Sequence, residues 1–313
     1  MTSIQNSIIY LFKPVGPTSF DMVWSVRKIL GIKKAGHIGT LDPMAEGILP
    51  ICLNRSTRII QFLSPLQKTY RATLELGSET DTQDATGKVL ATGNPSSVTE
   101  NQIKQALQTF TGEQDQVPPM YSAKKKNGIP LYKLARNGIN IVREPVKIVI
   151  YSIDFIKKEG TQVLFEVHCS TGTYIRTLSH DIGRKLGCYA HMVRLTRTQV
   201  GPFDLGRALS LEALEVAKED GSLPGKLIPW EEALNFLPAI HVKEEYLESI
   251  SHGVALSKSF IETLPDRFEP GHYFRVFGGD NEILAVVEPV VDQDTVPSMR
   301  PEDIVFKPKR VLC

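Results

Sequence analysis

Glycine and proline are concentrated in one short stretch of the chain, residues 34–50. Three glycines and two prolines fall within it, namely Gly36, Gly39, Gly47, Pro43 and Pro50. Proline lacks the amide proton that helices and sheets use, and glycine leaves the backbone unusually free, so neither a helix nor a strand should run through this stretch. We therefore expect an ordered loop or a functional site here, with regular elements on either side.

Residue patterns on both sides of this stretch predict a mixture of helices and strands. Apolar side chains recur at helical spacing and end at a glycine in three segments, which are 19–30, 100–111 and 174–186. Thr18 and Thr99 stand where helix-capping residues are expected. Alternating or β-branched residues predict strands in three further segments, which are 70–76, 146–156 and 163–169. The last two strands are expected to pair with each other.

The length of 313 residues predicts two domains, because a typical domain has roughly 150 residues. Proline, glycine and acidic residues collect between residues 220 and 232, and the composition changes after Pro238. We expect a first domain over residues 1–238 and a second, small and β-rich, over residues 239–313. In the second, residues 273–276 and 283–287 flank a Gly-Gly-Asp-Asn turn, which is the pattern of a β-hairpin.

The composition is that of a folded, water-soluble protein, with 42% hydrophobic and 23% charged residues. No apolar stretch approaches the roughly 20 residues of a membrane helix. The first residues also lack the basic and apolar regions of a signal peptide, so we expect a cytoplasmic protein with no membrane contact. The four cysteines are far apart and form no Cys-x-x-Cys pair, which argues against a zinc ribbon or a disulfide framework.

Basic residues are clustered although the whole chain carries a net charge of only +1. Residues 121–147 hold seven basic side chains and one acidic one, and residues 174–197 hold five and one. Residues 207–270 have the opposite balance, with six basic and twelve acidic side chains. This distribution predicts that a polyanion binds at one place on the protein. For the lysines at 124–126 alone, a solvated surface loop is an equal alternative.

Common cofactor and metal motifs are absent from the sequence. It contains no phosphate-binding Gly-x-x-x-x-Gly-Lys loop, no dinucleotide-binding Gly-x-Gly-x-x-Gly loop after a strand, no His-Glu-x-x-His pair and no Gly-x-Ser-x-Gly elbow. The remaining candidate is the loop of residues 36–47, in which Asp42 precedes Pro43. From the residues alone, an Asx turn is the more common role of such an aspartate, and a catalytic role stays open.

Five segments in a fixed order carry a resemblance to a known family. They are Leu-Phe-Lys-Pro-Val-Gly-Pro-Thr-Ser at 11–19, the loop at 36–47, Lys-Thr-Tyr at 68–70, Val-Pro-Pro-Met-Tyr-Ser-Ala at 117–123 and Gly-Thr-Tyr-Ile-Arg-Thr at 172–177. In these segments the chain resembles the bacterial TruB family, the tRNA pseudouridine-55 synthases. The resemblance covers residues 8–205. The β-rich tail is similar, in its position along the chain and in its composition, to the PUA-like RNA-binding module that follows the catalytic domain in this family.

The resemblance implies an α+β fold of the pseudouridine synthase type. A mainly antiparallel sheet would be flanked by helices and followed by the small PUA-like domain. The implied reaction flips uridine 55 out of the tRNA T loop, breaks its glycosidic bond, rotates the base and rejoins it through carbon 5, with no cofactor and no metal ion. The implied partner is the T stem-loop of tRNA, and we expect a monomer that needs no other protein.

Three residues are implied to be catalytic. Asp42 matches the family's catalytic aspartate, and a carboxylate is ionised at neutral pH. Whether it attacks the sugar or removes a proton stays open. Arg176 matches the arginine that pairs with this carboxylate, and Tyr70 matches the tyrosine that stacks on the target base. Without the resemblance, an arginine in the first turn of a helix is more often a surface group, and a tyrosine on the apolar face of a strand is more often part of the core.

Five further residues are implied to bind the substrate. His37 matches the histidine that wedges into the T loop, while Tyr174 and Leu195 match residues that line the pocket. Lys13 of the first motif and Lys125 of the basic segment 121–147 are expected to bind RNA. From the residues alone, a loop histidine and ordinary core packing are the alternatives for His37, Tyr174 and Leu195.

Two other functions remain open at this point. A chain with basic stretches and a PUA-like tail could bind or fold tRNA without any chemistry, although an intact Asp42 and Arg176 argue against this. It could also modify another RNA whose stem-loops resemble the T arm. If Asp42→Asn loses turnover but keeps its RNA affinity, the protein is an enzyme and not only a binding protein. Comparing activity on a T-arm hairpin with activity on other RNAs would test the second alternative.

Overall fold

The computed structural model describes residues 4–122, 124–126, 128–265, 267–277 and 282–313. The α-helices in these ranges are α1 (Ser19–Leu30), α2 (Ile60–Leu63), α3 (Glu100–Gln108), α4 (Leu131–Arg136), α5 (Ile175–Lys185), α6 (Leu211–Glu219), α7 (Trp230–Ala233) and α8 (Leu247–Ser251). The strands are β1 (Ser7–Lys13), β2 (Ala35–His37), β3 (Glu46–Leu53), β4 (Lys68–Leu76), β5 (Ser78–Thr80), β6 (Val89–Thr92), β7 (Gly112–Gln116), β8 (Lys125–Lys126), β9 (Ile129–Pro130), β10 (Val146–Glu159), β11 (Gln162–Cys169), β12 (Ala190–Val200), β13 (Phe203–Asp204), β14 (Ile228–Pro229), β15 (Ala239–Val242), β16 (Leu256–Ser257), β17 (Ile261–Thr263), β18 (Phe274–Phe277), β19 (Ile283–Pro289) and β20 (Ile304–Val311).

A ten-stranded sheet forms the centre of the molecule. Eight strands follow the order β14, β1, β3, β12, β4, β11, β10 and β7, while β2 pairs with β3 and β13 pairs with β12. Every described pair in this sheet is antiparallel except β3 with β12, which run parallel. The predicted fold class, a mainly antiparallel sheet with flanking helices and a β-rich C-terminal part, is confirmed.

The predicted helices are confirmed, and local capping explains where the first two begin. Thr18 accepts a hydrogen bond from the amide of Asp21 while the Asp21 side chain accepts one from the Thr18 amide, which is a complete capping box for α1. Gly31 ends the same helix in the left-handed conformation, with φ of 67°. Thr99 and Gln102 form an equivalent capping box for α3. The third predicted helix corresponds to α5.

The prediction that no regular element crosses residues 34–50 is wrong. Strand β2 and the first part of β3 lie within this range, and β3 is paired with β1 along most of its length. Gly47 makes the parallel pairing of β3 with β12 possible, because its φ is 117° and a β-carbon there would lie 2.2 Å from the carbonyl oxygen of Arg197 on β12. Pairing with strands distant in sequence therefore overrides the local breaker signal. Only residues 38–45 form the expected loop.

The predicted strands are confirmed, and they carry the core. Strand β4 alternates buried and more exposed residues, and it lies between β11 and β12. Strands β10 and β11 pair as expected. One apolar cluster joins these strands to α3 and α5, through Ile103, Leu107, Leu178 and Ile182. A second cluster packs the buried side of α1 against β1 and β3. Helices α1, α3 and α5 thus cover the sheet through these two apolar clusters.

A second sheet, of six strands in the order β16, β20, β19, β18, β15 and β17, begins at Ala239. The two predicted hairpin strands pair as β18 and β19, while their Gly-Gly-Asp-Asn turn lies outside the described residues. The two sheets share an apolar cluster, in which the rings of Phe62 and Tyr273 lie 5.1 Å apart. The domain boundary near residue 238 stays a prediction, which the division into two sheets supports. No helix in the described ranges is long and apolar enough to cross a membrane.

Candidate active site

A cavity of about 280 Å³ opens at the middle of the ten-stranded sheet. Four parts of the chain meet there: the loop between β2 and β3, the start of β4, the middle of β12 and the start of α5 with the residues before it. The cavity is lined by residues 39–42 and 171–176 and by Lys68, Tyr70, Ser122, Leu195 and Arg197. Five of the eight predicted site residues therefore line it: Asp42, Tyr70, Tyr174, Arg176 and Leu195.

The loop that carries Asp42 is fixed by buried hydrogen bonds on both sides of the aspartate. The Ser19 hydroxyl bonds to both the amide and the carbonyl of Leu41, at 2.8 and 3.0 Å. Lys13 donates from Nζ to the carbonyl oxygens of Ala45 at 2.6 Å and Pro43 at 3.5 Å. The Asp42 carboxylate itself is 40% exposed and forms an ion pair with Arg176. This ion pair favours the catalytic interpretation of Asp42 over a simple Asx turn.

Arg176, the second residue of α5, lies between two carboxylates. Its Nη2 is 2.9 Å from Oδ2 of Asp42, and its Nη1 is 3.5 Å from Oδ2 of Asp84. The guanidinium also donates to the carbonyl oxygens of Tyr121 and Thr82, at 2.8 and 3.3 Å. Its side chain is only 6% exposed. A buried arginine with this many partners has one orientation, and it therefore orients the Asp42 carboxylate.

Asp84 is a site residue that the sequence analysis missed. It lies in the turn between β5 and β6, and its side chain is 6% exposed. Its Oδ1 accepts hydrogen bonds from the hydroxyls of Thr82 and Thr86, at 2.7 and 2.6 Å, and from the amide of Thr86 at 3.0 Å. The arrangement is a local Asx-type turn. A threonine two residues before and two residues after an aspartate was the available signal, but nothing local connects it to Arg176.

Arg197 on β12 was also missed, and it has no carboxylate partner among the described residues. It donates to the carbonyl oxygens of Ile48 and Gly39, each at 3.0 Å, and more weakly to that of Thr40 at 3.5 Å. The residue is 1% exposed. Beside it, burial raises the pKa of the Tyr70 phenol, which the charge of Arg197 and hydrogen bonding to it partly oppose. The phenol is therefore neutral at physiological pH, and its ring faces the cavity.

Two buried lysines lie at or near the cavity: Lys68 lines it, and Lys13 lies outside the lining and bonds to the Asp42 loop. Lys13 is 0% exposed, and burial lowers its pKa to about 8, against the smaller opposing effect of Asp42. Burial likewise lowers the pKa of Lys68 to about 8, and its ammonium donates to the carbonyl oxygen of Ser64 at 2.6 Å. As an RNA contact Lys13 stays a prediction. Its buried bonds support a role in shaping the Asp42 loop instead.

Tyr174 and Leu195 both line the cavity. The backbone of Tyr174 is clamped by Gln116, whose side chain accepts from the Tyr174 amide at 2.7 Å and donates to its carbonyl oxygen at 3.0 Å. Leu195 lies on β12 and is 8% exposed. Their contact with a substrate base stays a prediction.

The other two predicted RNA contacts lie outside the cavity lining. His37 is half-buried on β2, and burial lowers its pKa with a smaller contribution from Arg197, so its imidazole is neutral at pH 7. Its Nδ1 has no hydrogen-bond partner in the described structure. Lys125 is exposed on β8, which pairs with the short strand β9. Within the described ranges, no three histidine, cysteine, aspartate or glutamate side chains group closely enough to hold a metal ion.

The geometry permits a definite kind of chemistry. A carboxylate that is partly open to solvent faces a cavity, is oriented by a buried guanidinium, and lies near an aromatic ring and an aliphatic side chain. Such a cavity can hold a flat ring beside Tyr70 and Leu195, within reach of the Asp42 carboxylate.

The sequence matches two family models along most of its length. Residues 27–175 match the N-terminal domain of the TruB family of pseudouridylate synthases, and residues 176–235 match the tRNA pseudouridylate synthase B C-terminal domain. The chain is 43% identical to the tRNA pseudouridine synthase B of Syntrophotalea carbinolica, over 85% of this chain and 86% of that protein. It is 40% identical to the enzyme of the same name from Dehalococcoides mccartyi strain CBDB1, over 92% and 93%.

Solved structures show the same architecture. A Cbf5-Nop10-Gar1 complex contains a chain that is 31% identical, with a TM-score of 0.80 over 99% of this chain and 86% of that one. An H/ACA RNP bound to a substrate RNA that contains 2′-deoxyuridine contains another, 30% identical with a TM-score of 0.77 over 99% and 86%. From its motifs, its fold and these relatives, the chain belongs to the TruB family of pseudouridylate synthases.

Proposed function

We propose that this enzyme converts uridine 55 in the T loop of tRNA to pseudouridine, with Asp42 as the catalytic carboxylate. The observation that carries the proposal is the ion pair of 2.9 Å between Asp42 and the buried Arg176 at the edge of the cavity. The relatives are named tRNA pseudouridine synthases, which supports tRNA as the substrate. The choice of uridine 55 rests on the five sequence motifs.

Entry of the base into the cavity is the first step of the proposed reaction. Flipping a nucleotide out of its stack costs a few kcal/mol. Stacking on an aromatic side chain contributes about 1–3 kcal/mol, and Tyr70 is an aromatic ring that faces the cavity. Because the phenol is neutral, it offers this face without a competing charge. His37, whose imidazole is also uncharged, is proposed to occupy the space that the flipped base leaves.

The chemistry needs no outside reagent because the product is an isomer of the substrate. The bond from ribose carbon 1′ to uracil nitrogen 1 breaks, the base rotates, and a bond from carbon 1′ to carbon 5 forms. The hydrogen on carbon 5 leaves as a proton while nitrogen 1 gains one. No electrons are gained or lost overall, so we propose that no redox cofactor takes part. Asp42 acts at the sugar, either as nucleophile or as base, and Arg176 holds its carboxylate in place.

RNA outside the cavity is proposed to contact the basic segment 121–147, which includes Lys125, and the C-terminal module of residues 239–313. Its phosphates would pair with the cations of these regions, which supplies sequence-independent affinity. We propose that the monomer acts on the T stem-loop without a partner protein. One solved relative belongs to a complex with Nop10 and Gar1. These two partners are part of that complex and not of the proposal for this chain.

A tritium-release assay tests the proposal. Purified protein is incubated with an unmodified T-arm hairpin labelled with tritium at uridine carbon 5, without cofactor or added metal. We expect release by the natural enzyme and a loss of at least about 10³-fold in Asp42→Asn, with RNA affinity retained. Asp81→Asn is the matched control, because it makes the same chemical change at an exposed aspartate of a nearby turn.

Each other outcome contradicts a separate part of the proposal. Release by Asp42→Asn at the natural rate would remove Asp42 from the chemistry. Tight binding without release by the natural enzyme would indicate another RNA substrate or a binding protein. Release that requires an added cofactor would remove the cofactor-free mechanism.

A further inference from the structure

Two aromatic side chains on α1 are unusually exposed. Phe20 is 69% exposed and Trp24 is 54% exposed, one helical turn apart. No other phenylalanine, tyrosine or tryptophan in the described part of the chain reaches these values. Large apolar side chains that stay in water on the surface of a folded protein frequently mark a binding surface.

The fold itself does not use this face of the helix. Helix α1 buries its opposite side, Met22, Val23, Val26 and Leu30, against β1 and β3. Phe20, Trp24 and Lys28 follow one another at intervals of four residues, so they form a single exposed stripe, here called the α1 stripe. At 1.5 Å per residue, the α1 stripe extends over about 12 Å.

The surroundings of the α1 stripe are positively charged. The Lys28 ammonium lies 5.4 Å from the centre of the Trp24 ring, in a cation–π arrangement. Between residues 20 and 34 there are four basic side chains and one acidic one. The basic four, Arg27, Lys28, Lys33 and Lys34, are exposed and form no ion pair within the ranges that the structure describes. These four side chains can therefore form ion pairs with an anionic ligand.

The α1 stripe begins directly beside the candidate active site. Ser19, the residue before Phe20, holds Leu41 through both of its backbone groups, and Leu41 precedes Asp42. The amide of Gly16 donates to the carbonyl oxygen of Pro43 at 2.8 Å. A polymer that places one unit in the cavity can thus lay a neighbouring part along α1.

We propose that the α1 stripe is a stacking platform for unpaired nucleobases of the RNA substrate, with the neighbouring cations contacting its phosphates. The inference rests on the proposed function and adds a second binding surface to it. Aromatic rings interleaved with cations are the combination that binds single-stranded nucleic acid, because every base offers a flat face and every linkage a negative charge. A protein partner fits less well, because lysine is depleted in protein interfaces.

Tryptophan fluorescence gives a direct test, because the chain has only two tryptophans. Trp24 is 54% exposed, whereas Trp230 is 0% exposed and out of reach of a ligand. Titration with an unmodified full-length tRNA transcript should quench the emission of Trp24. In Trp24→Phe the quenching should disappear while binding persists, because phenylalanine keeps a ring for stacking.

Steady-state kinetics of tritium release give the second test. The double variant Phe20→Ala/Trp24→Ala should raise KM about tenfold or more, since base stacking is lost at both positions. Its kcat should stay unchanged because neither side chain lines the cavity. Trp24→Phe is the matched control and should keep KM near the natural value. Both substitutions are at exposed positions, so the variants should fold normally.

The outcomes separate the α1 stripe from the proposed function. Normal tritium release together with no quenching and an unchanged KM in the double variant would overturn the platform and leave the function standing. A lower kcat at unchanged KM would also overturn it, because the stripe would then act on the chemistry. If the natural enzyme neither binds tRNA nor releases tritium, the proposed function fails and the platform fails with it. If the α1 stripe binds only another protein, the experiments should give the first of these results, in which tritium release is normal, Trp24 is not quenched and KM is unchanged.

Discussion

The two sides of the cavity each contain a buried arginine, but the partners of the two arginines differ. Arg176 lies between the carboxylates of Asp42 and Asp84. Arg197 has no described carboxylate partner and donates instead to backbone carbonyl oxygens, two of them at 3.0 Å. Lys13 resembles Arg197, because its ammonium also bonds to backbone carbonyls of the active-site loop.

This difference shows two uses of a buried cation. Between two carboxylates, a guanidinium fixes the position of a charge, which is what a catalytic carboxylate needs. Bonded to carbonyl oxygens, a cation fixes the path of the backbone, which places the loop that carries Asp42. Substitutions on the Arg176 side should therefore act mainly on turnover, and those on the Arg197 side mainly on the free energy of unfolding.

Arg197→Met should have the largest effect on stability. The substitution keeps most of the apolar stem and removes the guanidinium, so the buried carbonyl groups of Ile48 and Gly39 lose their donors. We expect the free energy of unfolding to fall by about 3 kcal/mol, measured by urea denaturation. Arg194→Met, at an exposed position of the same strand, is the control and should change it by less than about 0.5 kcal/mol. Equal losses in the two variants would refute the scaffolding role.

Asp84→Asn should act on turnover more than on stability. Loss of one of its two carboxylate partners lets the Arg176 guanidinium move, and a displacement near 1 Å costs about 10²-fold in rate. We expect kcat to fall by about that factor with KM unchanged, and the free energy of unfolding to fall by about 1–2 kcal/mol. Asp81→Asn should leave both unchanged. A rise in KM at constant kcat would show that Asp84 supports RNA binding and not Asp42.

The buried Lys13 should make stability depend on alkaline pH. Its pKa is about 8 in the folded chain and about 10.4 in an unfolded one. Between these values the unfolded chain binds more protons, so the contribution of Lys13 to the free energy of unfolding rises with pH. The difference between the natural chain and Lys13→Met should change in that direction by about 1.5 kcal/mol from pH 8 to 9.5, measured by urea denaturation at each pH. Lys33→Met, at an exposed lysine, should show no such change, and a constant difference for Lys13→Met would contradict the prediction.

An exposed ion pair provides the smallest expected effect. Arg71 on β4 and Glu166 on β11 are cross-strand partners, with Nε and Oε2 2.8 Å apart and the arginine side chain 59% exposed. Water screens such a pair, so Arg71→Ala should lower the free energy of unfolding by less than about 0.5 kcal/mol. A double-mutant cycle with Glu166→Ala measures the coupling. A coupling free energy as large as the loss of unfolding free energy in Arg197→Met would show that burial does not explain why Arg197 matters more for stability than Arg71.

Local signals predicted the helices well. The capping boxes at Thr18 and Thr99 need only residues within one turn, so they can be read from the sequence alone. The prediction that no regular element crosses residues 34–50 failed because the contacts that decide it are distant in sequence. Strand β3 is stabilised by β1, β2 and β12, which are separate strands of the sheet, and Gly47 serves the close approach of β12 and not a break.

The candidate site was predicted in part. The motifs led to Asp42, Tyr70 and Arg176, and the structure brings these three to one cavity. Asp84 and Arg197 were missed because neither stands out in its own segment. Their importance comes from partners on other strands and turns, which no short pattern contains.

The sequence by itself determined which chemical groups are available: a carboxylate in a glycine-rich loop, an arginine at the start of a helix, and basic stretches beside an acidic remainder. It also determined where α1 and α3 begin, because capping is a contact within a few residues. The tertiary structure alone decided that Arg176 forms the ion pair with Asp42 and that Arg197 donates hydrogen bonds to backbone carbonyl oxygens. A buried cation needs partners that replace water, and only the pairing of distant strands decides whether those partners are carboxylates or carbonyls.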